Sequence, residues 1–169
     1  MNKVDKVLLK QIADLHSVPQ GSYNIRKNGE SVARVCLQGI DIESKADNSG
    51  IDVYIADGIK NQSLHIPVIV SVSGLQDTTY NNFYVGKNCD IVIVAGCGIH
   101  NTGNKKSGHN GIHSFNVGEN SRVRYVEKHL GLGKGADKIL NPTTNIVLQP
   151  NSVLEMETTQ LGGVSYSNR

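Results

Sequence analysis

Apolar residues in this chain alternate with polar ones at period two, and the alternation recurs. Three and five residues after Asn61, Asn88, Asn120 and Asn151 stand Leu64 and Ile66, Ile91 and Ile93, Val123 and Tyr125, and Leu154 and Met156. A second apolar pair precedes the last three asparagines by five and three residues: Phe83 and Val85, Phe115 and Val117, Ile146 and Leu148. Before Asn61 this leading half reads as degraded. The asparagines are 27, 32 and 31 residues apart. Period-two alternation marks strands with one buried face, and its recurrence at this length marks a stacked repeat. Each unit therefore reads strand, corner, strand. Asparagine suits the corner because it tolerates a left-handed backbone and hydrogen-bonds locally.

Upstream the period changes. Val4, Leu8, Ile12 and Leu15 recur at helical spacing, which predicts a short amphipathic helix over 4–16, ended by Pro19 and Gly21. Residues 18–24 read as an extended lead-in, and Lys27-Asn28-Gly29-Glu30 as a hairpin turn. Ile40 and Ile42, then Ile51, Val53 and Ile55, predict strands joined by the turn Asp47-Asn48-Ser49-Gly50, and Val68, Val70 and Val72 predict another. The chain thus divides into a helix with its lead-in, 1–20, and a repeat core, 21–169.

Two Gly-rich polar stretches, Gly98 to Gly111 and Gly131 to Gly135, read as loops inserted on one face of the stack, where repeat proteins place their working residues. The last unit is followed only by a few polar residues ending in Ser167-Asn168-Arg169. Since repeat stacks need atypical terminal units, we expect the helix to cap one end. The other end is expected to be completed by further chain or by a partner, so the core reads as truncated.

Composition narrows the class. The 169 residues hold 18 Gly, 4 Pro, 6 Tyr, 2 Phe and no Trp, which suits a turn-rich all-β protein. A net charge of +2 gives nucleic acid and anionic membranes no electrostatic footprint, and no apolar run is long enough to span a bilayer. The N-terminus carries charge throughout and does not resemble a signal peptide, so the three Cys are expected to be reduced thiols in a cytoplasmic protein.

The chemistry-bearing candidate is Cys97, in Val94-Ala95-Gly96-Cys97-Gly98-Ile99-His100, where a strand opens into a loop holding His100, Lys105, Lys106, His109 and His113. Nearby cations would lower the thiol pKa toward a reactive thiolate, and Cys97 should then alkylate faster than Cys36 or Cys89. The bland reading is a small apolar strand residue. Cys97, His100, His109 and His113 could alternatively hold zinc in a structural or binding β protein. His113 could instead face inward, since it lies two residues before Phe115. The Gly131–Gly135 stretch lacks the strand-to-helix context of a phosphate loop. Glu155 and Glu157 read as solvent-facing, and the absence of Trp argues against a carbohydrate-active groove. A repeat near 31 is not a multiple of six, which disfavours hexapeptide acyltransferases.

The segments Gly21 to Gly29, Val94-Ala95-Gly96-Cys97, Gly111-Ile112-His113 and Ser121-Arg122-Val123-Arg124-Tyr125 resemble the core of the SufB/SufD iron–sulfur cluster assembly family, above all its short, minimal members. The resemblance runs from about residue 4 to 165. It implies a right-handed parallel β-helix and a scaffold without turnover of its own. Such scaffolds accept sulfur, build a transient iron–sulfur cluster and hold no permanent cofactor. The implied partners are a SufC-like ATPase, a cysteine desulfurase or sulfur carrier, and a SufB/SufD-like homo- or heterodimer partner. It also implies that Cys97 is the sulfur acceptor; His100, His109 and His113, nearby in the sequence, read as candidate proton donors or transient ligands. The family's proposed cluster-holding residues and ATPase-docking helices lie further toward the C-terminus than this chain reaches.

Overall fold

A computed structural model describes residues 2–13 and 21–168. The strands wind into a β-solenoid of about four turns, built from two facing sheets of parallel strands. One sheet contains β4 (Gly50–Ile55), β6 (Gln76–Val85), β8 (Ser107–Val117), β10 (Lys138–Leu140) and β11 (Thr143–Leu148). The other contains β5 (Lys60–Val70), β7 (Asp90–His100), β9 (Arg122–Leu132) and β12 (Val153–Gly162). The chain alternates between them: β4 feeds β5, β6 feeds β7, β8 feeds β9, and β11 feeds β12. β10 and β11 both pair with β8, at Ser107–His109 and Ile112–Val117, and Pro142 between them lacks the N–H a continuous strand would need.

Parallel, in-register pairing piles like side chains into ladders. Val53, Phe83, Phe115 and Ile146 share one rung position, and Leu64, Ile93, Tyr125 and Met156 another. The Phe83 and Phe115 rings stack with centroids 4.6 Å apart, and Tyr125 meets Phe115 edge-on at 5.2 Å. These rows form the apolar half of the interior.

Asn88, Asn120 and Asn151 all take left-handed backbone angles, with φ of 56°, 56° and 58°, and the Asn151 amide donates to Asn120 Oδ1 at 3.2 Å. The first unit differs from the sequence expectation. Its corner is Gly58, with φ of 75°, which donates its N–H to the Lys87 carbonyl beside Asn88. Val53 and Ile55 then stand five and three residues ahead of the corner, in register with Phe83 and Val85, so the leading half is intact. Asn61, also left-handed, lies three residues on at a bulge in β5, and Leu64 consequently aligns with Ile93 and not with Ile91. A left-handed residue serves some bulges as it serves a corner.

The predicted hairpin and turn form as expected. Asn28 and Gly29, with φ of 50° and 90°, join β1 (Ser22–Lys27) to the antiparallel β2 (Glu30–Val35). Asn48 serves the turn between β3 (Ile40–Ser44) and β4. The edge strands β2 and β3 close the N-terminal end of the two sheets, so the helix is not the cap. Helix α1 (Lys3–Ala13) lies instead on the outer face of β5, β7 and β9, burying Leu8, Leu9, Ile12 and Ala13. Two glycines admit it: a Cβ at Gly96 would meet the Ile12 carbonyl oxygen at 2.5 Å, and one at Gly98 would meet Leu8 at 2.8 Å. The buried Asp5 carboxylate accepts from Lys27 Nζ at 2.6 Å. Leu15, Pro19 and the 18–20 part of the lead-in lie outside the described residues.

The two polar stretches are not protruding loops. They are the ordinary corners between sheets, stacked on each other: Gly135 donates to the Asn101 carbonyl and Ala136 to that of Gly103. The buried Asn101 amide donates to the Lys105 and Ala136 carbonyls at 2.8 and 3.1 Å. Gly131–Gly135 leads into β10, not into a helix.

Candidate functional site

The same alternation that buries Phe83, Phe115 and Tyr125 carries polar residues into the other half of the solenoid. In β6, Asp77, Thr79 and Asn81 precede Phe83 on its face. In β8, His109, Gly111 and His113 precede Phe115. In β9, Glu127 and His129 follow Tyr125. The six side chains of Asp77, Asn81, His109, His113, Glu127 and His129 are at least nine-tenths buried. They meet in a polar interior between the sheets, beside a cavity of about 20 Å³. That is the scale of one water molecule.

Cys97 belongs to this interior. It lies inside β7, in register with Val68 on one side and His129 on the other, and is 3% exposed. The expected accessible thiol at a strand end is corrected, because β7 runs on through His100 and parity turns the sulfur inward. Its reactivity is corrected too. Burial first, then the Glu127 and Asp77 carboxylates, push the thiol pKa well above its ordinary value of 9.0. The loop lysines do not offset this.

Of the expected companions, His109 and His113 line the same cavity as Cys97, and His100 does not. His100 has the parity of Gly96 and Gly98, which sends it toward the outer face on which α1 packs. A four-ligand zinc set of Cys97, His100, His109 and His113 therefore does not converge. Among the described residues no three His, Cys, Asp or Glu side chains are arranged to hold a metal ion.

Two hydrogen-bonded groups order the polar interior. In the first, Arg26 from β1 grips Asp77 with Nε at 3.2 Å and Nη2 at 3.0 Å, while Nη1 reaches the Asn48 carbonyl at 3.1 Å. His109 Nδ1 stands 3.1 Å from Asp77 Oδ2, and Thr79 donates to that oxygen at 3.3 Å. Burial works against ionisation of Asp77, but the hydrogen bonds and charges of His109 and Arg26 outweigh it and hold the carboxyl far below its usual range. With Nδ1–H donating to Asp77, His109 turns Nε2 toward Gly111. A Cβ at Gly111 would lie 3.5 Å from that nitrogen and 2.8 Å from His113 Nε2. The missing side chain is what lets both imidazoles into the cavity.

In the second group, Glu127 Oε1 accepts from the Tyr125 hydroxyl at 3.1 Å and faces His129 Nε2 at 3.4 Å and His113 Nε2 at 4.0 Å. Gln160 donates to His129 Nδ1 at 3.1 Å, which assigns the His129 proton to Nε2, on the Glu127 side. Asn81 holds His113 Nδ1 at 3.4 Å.

Arg26, Asp77, Glu127 and His129 were missed in the sequence, although parity alone could have found the last two. Val123 and Tyr125 face inward, so Glu127 and His129 do as well. The outward residues of β9 behave as expected: Arg122 and Arg124 pair with Glu155 and Glu157 of β12 at 3.0 Å on the exposed face. Cys36 is exposed beyond β2, and Cys89 is buried with its sulfur 3.2 Å from the Ala56 carbonyl oxygen. No helix among the described residues is long and apolar enough to cross a membrane. No family model, no curated protein and no solved structure matches this chain.

Proposed function

We propose that this solenoid is a sulfur-accepting component of iron–sulfur cluster assembly, with Cys97 as acceptor and the imidazole–carboxylate groups around it as the proton-handling wall. The observation that carries the reading is the register of Cys97 with His129, beside Glu127, in a polar interior otherwise walled by apolar rungs. The thiol packs with Val68, Val70, Ile99 and Leu140 on one side and borders the ionisable groups of the polar half on the other, which places a sulfur within reach of imidazoles.

The chemistry is a thiol exchange. The Cys97 proton passes to a neighbouring imidazole, and the thiolate attacks the outer sulfur of a donor persulfide. The donor S–S bond breaks, Cys97 gains a persulfide, and the donor sulfur leaves as a thiol after taking a proton back. No electrons are exchanged overall. Because burial and two carboxylates keep the resting thiol protonated, sulfur uptake waits for a donor small enough to enter or for the rung to open. Iron and the growing cluster are cargo here, and the resemblance to SufB/SufD scaffolds names an ATPase, a sulfur donor and a second scaffold subunit as partners.

The test incubates the reduced chain anaerobically with ferrous iron and cysteine persulfide, removes unbound reagents, and measures protein-bound sulfur. Wild-type protein should retain more sulfur than Cys97→Ser, and the same difference should separate Cys36→Ser from the Cys36→Ser, Cys97→Ser double variant. Equal retention by Cys97→Ser would defeat the proposal.

A further inference from the structure

The outer face of β3, β4 and β6 carries a feature that the interior chemistry does not use. Tyr54 of β4 and Tyr84 of β6 are cross-strand neighbours, and their rings stack at 5.1 Å with planes 11° apart. Both are exposed, at 43% and 39%. The two rings support the sheet as a cross-strand pair and also leave an aromatic platform open to solvent.

The next strand decides what the platform fits. Asp41 of β3 is the direct antiparallel partner of Tyr54, so the row across the sheet runs Asp41, Tyr54, Tyr84. Tyr84 covers one face of the Tyr54 ring. The other side of the row holds Asp41. A groove of about 330 Å³ runs alongside this row, lined by Gly39, Asp41, Tyr54, Ala56, Tyr84 and Gly86. This is the lower end of the size range for small-ligand clefts.

Acidic residues outnumber basic ones in the strands beside it. Glu43 of β3 stands opposite Asp52 of β4, a like-charged cross-strand pair that is unfavourable without a cation, and Lys45 Nζ reaches Asp52 at 2.6 Å but not Glu43. Residues 40–57 hold Asp41, Glu43, Asp47, Asp52 and Asp57 against a single Lys, in a chain whose net charge is +2. Desolvation first, then Asp52 and Glu43, raise the Tyr54 phenol pKa, and Lys45 works against them.

A flat aromatic face beside a carboxylate recognises a planar cation. A guanidinium lying on the free face of Tyr54 would gain cation–π attraction and could turn its edge to Asp41 in a forked hydrogen bond, which a lysine ammonium cannot match. We propose that the groove between Asp41 and the Tyr54–Tyr84 stack docks an arginine-bearing segment of a partner protein. Binding there is independent of Cys97, which lies in the other sheet and faces inward.

The test is a fluorescence-anisotropy titration of the full chain with a labelled peptide of alternating Arg and Gly, alongside the same peptide with Lys in place of Arg. The arginine peptide should bind saturably and at least tenfold more tightly than the lysine peptide. Asp41→Asn and Tyr54→Leu should each weaken it about tenfold, while Glu155→Gln on the far sheet leaves it unchanged. Asp41 is a surface position, so its variant keeps the test valid if Tyr54→Leu perturbs folding. Equal affinity for both peptides, indifference to Asp41→Asn, or loss of binding in Glu155→Gln to the same extent would each overturn the proposal as mere attraction between charges.

Discussion

Cys97 and His129 are in-register neighbours on adjacent parallel strands, both turned into the solenoid, and neither is more than 3% exposed. The pairing joins a thiol to an imidazole whose opposite nitrogen is held by Gln160 and whose Nε2 faces Glu127. It is a sheltered arrangement, and the shelter has measurable consequences.

The first concerns thiol reactivity. Cys36 is exposed, Cys89 is buried against a carbonyl, and Cys97 is buried beside carboxylates. Alkylation with iodoacetamide at pH 7, followed by peptide mapping, should modify Cys36 first and Cys97 slowly. The Cys97 rate should keep rising well beyond pH 9.0, the value at which an ordinary thiol is half ionised. This reverses the order that the sequence suggests, and rapid labelling of Cys97 at neutral pH would show that the rung is open.

Acid stability should depend on Asp77. Its folded-state pKa is depressed, so its contribution is complete above its ordinary value of 3.8 and is lost as pH falls below that toward the folded value. Asp77→Asn leaves the Arg26 guanidinium buried without its carboxylate and should cost about 3–5 kcal/mol in urea unfolding at pH 7. The difference between the two proteins should narrow as the solution is taken below 3.8. A constant difference across pH would place the stabilisation elsewhere.

The corner asparagines offer a backbone test. Asn120 has φ of 56°. Asn120→Gly should be nearly neutral, whereas Asn120→Val should lose about 1–2 kcal/mol because a β-branched residue resists the left-handed region. Chemical denaturation of the two variants side by side decides the matter. Equal losses would mean that the side-chain hydrogen bond to Asn151, not the backbone angle, sets the corner.

Helix docking is controlled by two absent side chains. Gly96→Leu places a side chain where Ile12 lies, and should release α1 while leaving the solenoid wound. Limited proteolysis should then cut within the first 13 residues of the variant far faster than in wild type, with the far-ultraviolet strand signal retained. Loss of that signal would show that the helix is needed to hold the sheet.

Much of this fold was legible because a parallel stack repeats its own pattern. Val123 and Tyr125 announce an inward face by parity, and the positive φ of Asn88, Asn120 and Asn151 was readable from residue type. Gly58 was harder to see, since Asn61 three residues later mimics a corner while forming a bulge. The site was legible only in part. His109, His113 and Cys97 do meet, and the parity of Val123 and Tyr125 carries Glu127 and His129 inward, but polar side chains at inward positions run against the expectation that the interior is apolar. The Arg26–Asp77 pair joins residues 51 positions apart, a contact that only the winding creates.

The most direct measurement follows the transferred sulfur atom. Reduced protein would be exposed to cysteine persulfide carrying a heavy sulfur isotope, quenched with a thiol-capping reagent and mapped by peptide mass spectrometry. The account predicts one added sulfur on Cys97, diminished in His129→Gln and Glu127→Gln proteins that still fold. Label confined to Cys36, with Cys97 unmodified in the wild-type chain, would contradict it.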